Sequence, residues 1–169
     1  MVSRLVSFAL LALAMVWSGS ATAGNEAGVQ PSLFVTTSVG YPLVLDGGTM
    51  LPPGIAHGLA VFIPMRNGWG CMGEIGVTTG FSDLRPAVQL IAGPSKRIST
   101  DFALGASVLY KFVPAYDGAA SPTHVLGGSV ATVFPIAIGS VSFPTGIGVN
   151  LATGDAVLAV NIKLSVRMP

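Results

Sequence analysis

The chain has 169 residues, a formal net charge of +1 and only 9% charged residues. A soluble domain normally carries about a quarter charged residues, so this composition indicates that something other than water solvates much of the surface. The near-zero net charge argues against nucleic acid or an anionic membrane surface as an electrostatic partner.

Residues 1–23 have the pattern of a secretory signal peptide. Arg4 precedes an apolar run over residues 5–17, and the small residues ATA end this segment at Ala23. The apolar run is shorter than the roughly 20 residues that a membrane-spanning helix needs. We therefore expect cleavage after Ala23 and a mature chain, residues 24–169, that forms a single β-barrel domain.

After Gln30 the sequence repeats segments of alternating or β-branched apolar character, each followed by Gly, Pro, Asn or Asp. No segment shows a sustained 3.6-residue period, so the chain is predicted to be all-β. The pattern predicts eight strands, over residues 32–43, 56–65, 71–81, 86–93, 101–113, 124–134, 141–151 and 156–167.

Several predicted strands have one face of large apolar residues and one face of small or polar residues. The last strand shows the pattern, with Leu158, Val160, Ile162, Leu164 and Val166 on one face and Asn161, Lys163, Ser165 and Arg167 on the other. The second face of the other strands is mainly Gly, Ala and Ser, which suits the inside of a narrow barrel better than the wet surface of a sandwich. We predict a closed antiparallel up-and-down β-barrel whose apolar face meets lipid.

The connections between the predicted strands fit a barrel with both termini in the periplasm. The connections "DGGTMLPPGI" and "PAYDGAASPT" would face outside and are the longest, while "SDLRP" and "ATGD" on the same side are short. On the inner side, "GPSKRIST" is predicted to be a loop longer than a tight turn. Aromatic residues near the strand ends indicate an interfacial girdle.

Several prolines constrain this interpretation, because proline donates no hydrogen bond to a ladder and a closed barrel has no edge strand. We therefore expect four of them to end strands and one to begin a strand. Those expected at strand ends are Pro42, Pro64, Pro114 and Pro135, and Pro144 is expected to begin a strand.

Four charged residues fall on the small-residue face: Glu74, Lys111, Lys163 and Arg167. A charge in a narrow lumen is costly unless it is paired. We predict that Glu74 forms an ion pair with at least one of these cations, foremost Lys111 or Lys163. We interpret this lumen polar network as a structural plug, because eight strands leave an interior only wide enough for side chains; a polar path is the alternative.

The sequence predicts no catalytic, metal or cofactor site. His124 follows Ser121 by three residues, but the supporting carboxylate would have to come from Asp117 across a loop. The single cysteine, Cys71, excludes an intramolecular disulfide and lies far in sequence from both histidines. We expect its thiol to be buried and inert.

The signal peptide, the eight amphipathic strands and a mature length of 146 residues (169 − 23) resemble the small eight-stranded outer-membrane β-barrels of Gram-negative bacteria. The resemblance implies an exported monomer in the outer membrane, with the lipid bilayer as its partner and a structural or surface-interaction role through its outer loops. Such families usually end in an aromatic residue, whereas this chain ends in Met168-Pro169. The alternatives are a narrow passive channel, a lipid-modifying enzyme and a soluble secreted β-sandwich that binds a partner.

Overall fold

The computed structural model describes residues 30–45, 49–50, 53–80, 86–115 and 122–169. The predicted signal peptide lies outside the described residues. The strands are β1 Ser32–Val44, β2 Thr49–Met50, β3 Gly54–Pro64, β4 Trp69–Gly80, β5 Ala87–Arg97, β6 Ala103–Val113, β7 Thr123–Ile136, β8 Gly139–Asn150 and β9 Ala156–Arg167, with a 3-10 turn at Arg66–Gly68. In this described part of the chain, no helix is long and apolar enough to cross a membrane.

The eight long strands form one closed antiparallel sheet. Each strand pairs with its neighbours in the chain, and β9 returns to pair with β1 from Phe34–Arg167 to Val44–Val157. The two-residue strand β2 only extends the hairpin after β1. This up-and-down order confirms the predicted barrel and excludes the open β-sandwich, because no long strand is left with a free edge.

The stagger of the strands fixes the size of the barrel. Following the register once around the sheet from Phe34 leads through Glu74 and Leu109 to Val44, a shift of ten residues along β1 (44 − 34). For eight strands at the usual spacing, this shift corresponds to a strand tilt of about 40° and a backbone radius of about 8 Å. The tilt lies within the range of membrane barrels.

The outer wall of the barrel is a continuous apolar surface. The relative exposure of outward side chains reaches 65% at Val130 and 60% at Val108, whereas the buried apolar residues among those described are all alanines. On β9, Ile162 is exposed while its neighbour Lys163 is buried, as the alternation predicts. A surface this apolar is matched to lipid and not to water.

The two ends of the barrel differ in their connections. At the end that holds Ser32 and Arg167, which we call the terminal end, the connections have four, five and two residues: 65–68, 98–102 and 137–138. At the opposite end, the loop end, they have nine, six, nine and five residues: 45–53, 81–86, 114–122 and 151–155. The prediction that "GPSKRIST" forms a long loop was wrong, because β5 continues through Arg97 and pairs with β4 and β6 there.

Two prolines lie well inside strands, at positions where the pairing with one of the two neighbouring strands is interrupted. Pro144 was expected to begin a strand but lies within β8, and the pairing of β8 with β9 skips Phe143 and Pro144. The pairing of β5 with β6 likewise skips Gly93 and Pro94. A missing N–H affects only one side of an antiparallel strand, and each strand stays fully paired with its other neighbour. The remaining four lie at or within two residues of a strand end, as expected: Pro42, Pro64, Pro114 and Pro135.

Aromatic side chains gather near both ends of the barrel wall. At the terminal end, the ring of Phe134 lies 5.7 Å from that of Phe102 and 6.1 Å from that of Phe143. At the loop end, the hydroxyl of Tyr110 lies 2.8 Å from Nδ1 of His124. These positions match the aromatic belts of membrane barrels.

Candidate functional site

Each of the eight long strands contributes small residues to the lumen of the barrel. On β8, the inward positions are Ser140, Ser142, Pro144, Gly146 and Gly148. A cavity of about 1200 Å³ therefore remains inside the wall. We expected side chains to fill the interior, and they do not, because so many inward positions carry little or no side chain.

Phe62 narrows the lumen near the terminal end. A Cβ atom added to Gly70 would lie 2.2 Å from Cζ of Phe62, so the ring occupies the space that this glycine leaves free. Phe62 is the third residue from the end of β3, and Gly70 is the second residue of β4. The close contact requires glycine at this position.

A buried ion pair crosses the lumen between two strands that are not neighbours. Nζ of Lys163 on β9 donates to Oε2 of Glu74 on β4, and the hydroxyl of Thr36 on β1 donates to Oε1 of Glu74 at 3.2 Å. The exposure is 7% for Glu74, 7% for Lys163 and 2% for Thr36. Because an uncompensated buried charge is costly, these two contacts are what stabilises the carboxylate inside the lumen.

The structure brings together two of the four predicted lumen charges. Lys111 lines the lumen two residues before the loop end of β6, and the described residues offer it neither an ion-pair nor a hydrogen-bond partner. Arg167 is the last residue of β9 and is exposed at the mouth of the terminal end. The two cations therefore lie toward opposite ends of the lumen, apart from the Glu74 pair.

The lumen also contains polar residues that are not among the four of the predicted network. Gln89 on β5 is buried, and the hydroxyls of Ser107 and Ser129 lie 2.8 Å apart on β6 and β7. The hydroxyl of Thr78 is buried without a hydrogen-bond partner in the described part of the chain. All four alternate onto the small-residue face, so strand parity was the signal that could have identified them.

Of the residues considered for catalysis, His124 lies in the described part of the chain. His124 faces outward and contacts Tyr110, while Ser121 and Asp117 lie outside the described residues. Cys71 was expected to be buried but is half-buried on the outward face of β4. Within the described ranges, no group of three or more His, Cys, Asp or Glu could hold a metal ion.

Comparison with known proteins finds a similar fold but no match to a family model or to a curated sequence. No protein-family model matches this sequence, and no curated protein matches it by sequence. The structure is similar to that of Ail, the attachment invasion locus protein of Yersinia pestis, with a TM-score of 0.53 and 15% identity over 83% of this chain and 99% of that chain.

Two further solved structures are similar at lower TM-scores. The structure of Ail in complex with the heparin analogue sucrose octasulfate has a TM-score of 0.46 and 17% identity over 82% of this chain and 99% of that chain. A de novo designed transmembrane β-barrel has a TM-score of 0.44 and 16% identity over 80% and 95%. With its closed eight-stranded sheet and its apolar outer wall, this chain has the fold of a small outer-membrane β-barrel.

Proposed function

We propose that the protein is an integral β-barrel of a Gram-negative outer membrane that makes its physiological contacts through the connections at the loop end. The observation that carries this proposal is the difference between the two ends of the barrel. The connections have two to five residues at the terminal end and five to nine residues at the loop end. Outer-membrane barrels have short periplasmic turns and longer extracellular loops, so the loop end faces the outside of the cell.

The proposal includes export by the signal peptide over residues 1–23 and insertion of residues 24–169 as a single, monomeric barrel. The closed pairing of β1 with β9 supports the monomer, because it leaves no strand edge for a second chain. The apolar outer wall supports the bilayer as the partner of the barrel itself.

We also propose that the lumen polar network of Glu74, Lys111, Lys163 and Arg167 is structural at its centre. The Glu74–Lys163 pair connects β4 to β9 across the lumen, where β1 and β3 separate these strands in the sheet. Such a pair holds the cross-section of the barrel in one shape. No catalysis is part of this proposal.

The membrane topology can be tested with epitope tags in intact cells. A tag inserted after Ala119 should bind antibody on intact cells, while the same tag inserted after Thr100 should bind only after the outer membrane is permeabilised. The unheated protein should migrate differently from the boiled protein in gel electrophoresis. Recovery in the periplasm or the medium without detergent, or antibody access to the second tag in intact cells, would contradict the proposal.

A narrow passive channel is the second candidate, and the cavity of about 1200 Å³ favours it. The buried Glu74–Lys163 pair and the Phe62 ring occupy part of the path. Purified protein in planar lipid bilayers should give discrete conductance steps if the lumen is continuous. A silent bilayer that contains correctly folded protein would exclude the channel.

A further inference from the structure

The lumen contains a cation whose charge the described residues do not balance. Lys111 faces inward from β6, between the outward rings of Tyr110 and Phe112. The one described carboxylate that lines the lumen, Glu74, is already bound by Lys163 and Thr36. A positive charge inside the barrel favours the binding of an anion, because burial of a charge without a partner is costly.

The wall around Lys111 is small and mostly apolar. Its register neighbours are Gln89 on β5 and Val125 on β7, and the next inward positions along its own strand are Leu109 and Val113. Glycines and alanines of other strands line the same cavity: Gly40, Ala56, Gly80, Ala87 and Ala159. The chamber beside the cation is therefore mostly apolar, with Gln89 and the Glu74–Lys163 pair among the polar groups in its wall.

The chamber is large enough for a ligand. Its volume of about 1200 Å³ exceeds the roughly 300–1000 Å³ of ordinary small-molecule sites, which combine an apolar wall with a few polar groups that fix orientation. A narrow tube with one cation near its loop end matches a long apolar chain with one anionic end. A compact polar anion would leave most of this wall without a contact.

We propose that the lumen binds a single-chain anionic amphiphile of the long-chain fatty acid class. The carboxylate binds the ammonium of Lys111, and the alkyl chain lies along the small-residue wall toward the terminal end. This role is separate from the loop contacts proposed above, because it needs only the barrel and its inner face.

Photo-crosslinking can locate the ligand, because neighbouring strand residues face opposite sides of the wall. The full mature protein is reconstituted in phosphatidylcholine vesicles with a palmitate analogue that carries a diazirine at its chain end, at a pH at which the carboxylate is ionised. Because the chain end of the bound probe lies toward the terminal end, mass spectrometry should find adducts on lumen residues there, such as Ala103, Ala131 or Val133. Adducts confined to lipid-facing neighbours at the same level, such as Leu104 and Phe134, would overturn the proposal.

Variants then test the anchoring cation. Lys111→Met should reduce lumen adducts by about tenfold or more, since each tenfold step is 1.4 kcal/mol of binding free energy, and Lys111→Arg should retain them. Lys96→Met is the matched control, because Lys96 lies beside Trp69 near the terminal end. Unchanged lumen adducts in Lys111→Met would show that this cation does not anchor the ligand.

A competition measurement on the wild-type protein does not depend on the folding of any variant. Unlabelled palmitate should displace the probe from the lumen, while hexadecanol and hexadecyltrimethylammonium at equal concentration should do so weakly. Equal displacement by all three would contradict recognition of the anionic end. Chloride conductance that depends on Lys111, without lumen adducts, would assign the lumen to ion passage instead.

Discussion

At the scale of single residues, the stability of the inner wall depends on how the negative charge of Glu74 is balanced. Its two carboxylate oxygens accept from Lys163 and Thr36, and all three side chains are almost wholly removed from solvent. Removal of one member of such a set leaves the other charge buried and unpaired, which costs more than the intact pair contributes.

We therefore predict that Glu74→Ala destabilises the barrel by about 3–5 kcal/mol. The free energy of unfolding can be measured by urea titration of the vesicle-inserted protein. The double variant Glu74→Leu/Lys163→Met is the matched control and should recover most of the loss, because neither side chain is then charged. An unchanged heat-dependent gel shift and urea midpoint in Glu74→Ala would show that the pair is not structural.

A second residue-scale prediction concerns Gly70. Its substitution by Ala would drive a methyl group into the ring of Phe62, so Gly70→Ala should lower stability by about 1–3 kcal/mol, as overpacking does. Adding Phe62→Ala should remove the clash, and a double-mutant cycle would then report a large coupling energy. Additive effects of the two substitutions would mean that the ring does not occupy this space.

At the scale of the strand, parity along each segment was predictable and register around the barrel was not. The alternation in the last strand correctly placed Lys163 inward and Ile162 outward. The alternation could not show which cation pairs with Glu74, because the ten-residue stagger determines which residue of β9 lies level with Glu74. That stagger arises from the sum of eight strand registers, which no local pattern contains.

The error in β5 has a local cause. The residues Gly93, Pro94 and Ser95 are a turn signal in most sequences, so the predicted strand ends at Gly93. In the barrel, the other neighbour, β4, pairs without interruption through Pro94 and keeps the segment extended. Closure supplies a partner on both sides, so a gap on one side does not end the strand.

The proline inside β8 leads to a prediction at the same scale. Pro144→Ala restores a backbone donor where the pairing with β9 is interrupted, and one added hydrogen bond should raise stability by about 1 kcal/mol. Urea midpoints of the wild type and the variant provide the measurement. Pro64→Ala, at the end of β3, is the control and should change little. A lower midpoint for Pro144→Ala would show that the interruption favours the folded barrel.

At the scale of the whole molecule, the distribution of apolar and polar side chains is the reverse of that in soluble β-proteins. The large apolar side chains face out, and the buried side chains are alanines and polar residues. Removal of this surface from water therefore requires a bilayer and not a packed core.

Lipid exposure can be tested with a charge scan of the outer wall. Val130→Arg, at the centre of β7, should cost about 2–4 kcal/mol, as expected for an arginine near the middle of a bilayer. Ile98→Arg is the control, because Ile98 is comparably exposed but lies in a terminal-end turn. Folding yield in phospholipid vesicles reports both variants, and equal effects would contradict a membrane-embedded wall.

The pairing of β1 with β9 also determines when the barrel can form during synthesis. The N–H of Met168 donates to the carbonyl of Leu33 at 2.8 Å, and Phe34 lies in register with Arg167. A chain that lacks β9 would leave the edges of β1 and β8 unpaired in hydrocarbon, at several kcal/mol for each backbone group. The barrel therefore cannot close until β9 is available, and a chain that is truncated before residue 156 should fail to insert into a bilayer.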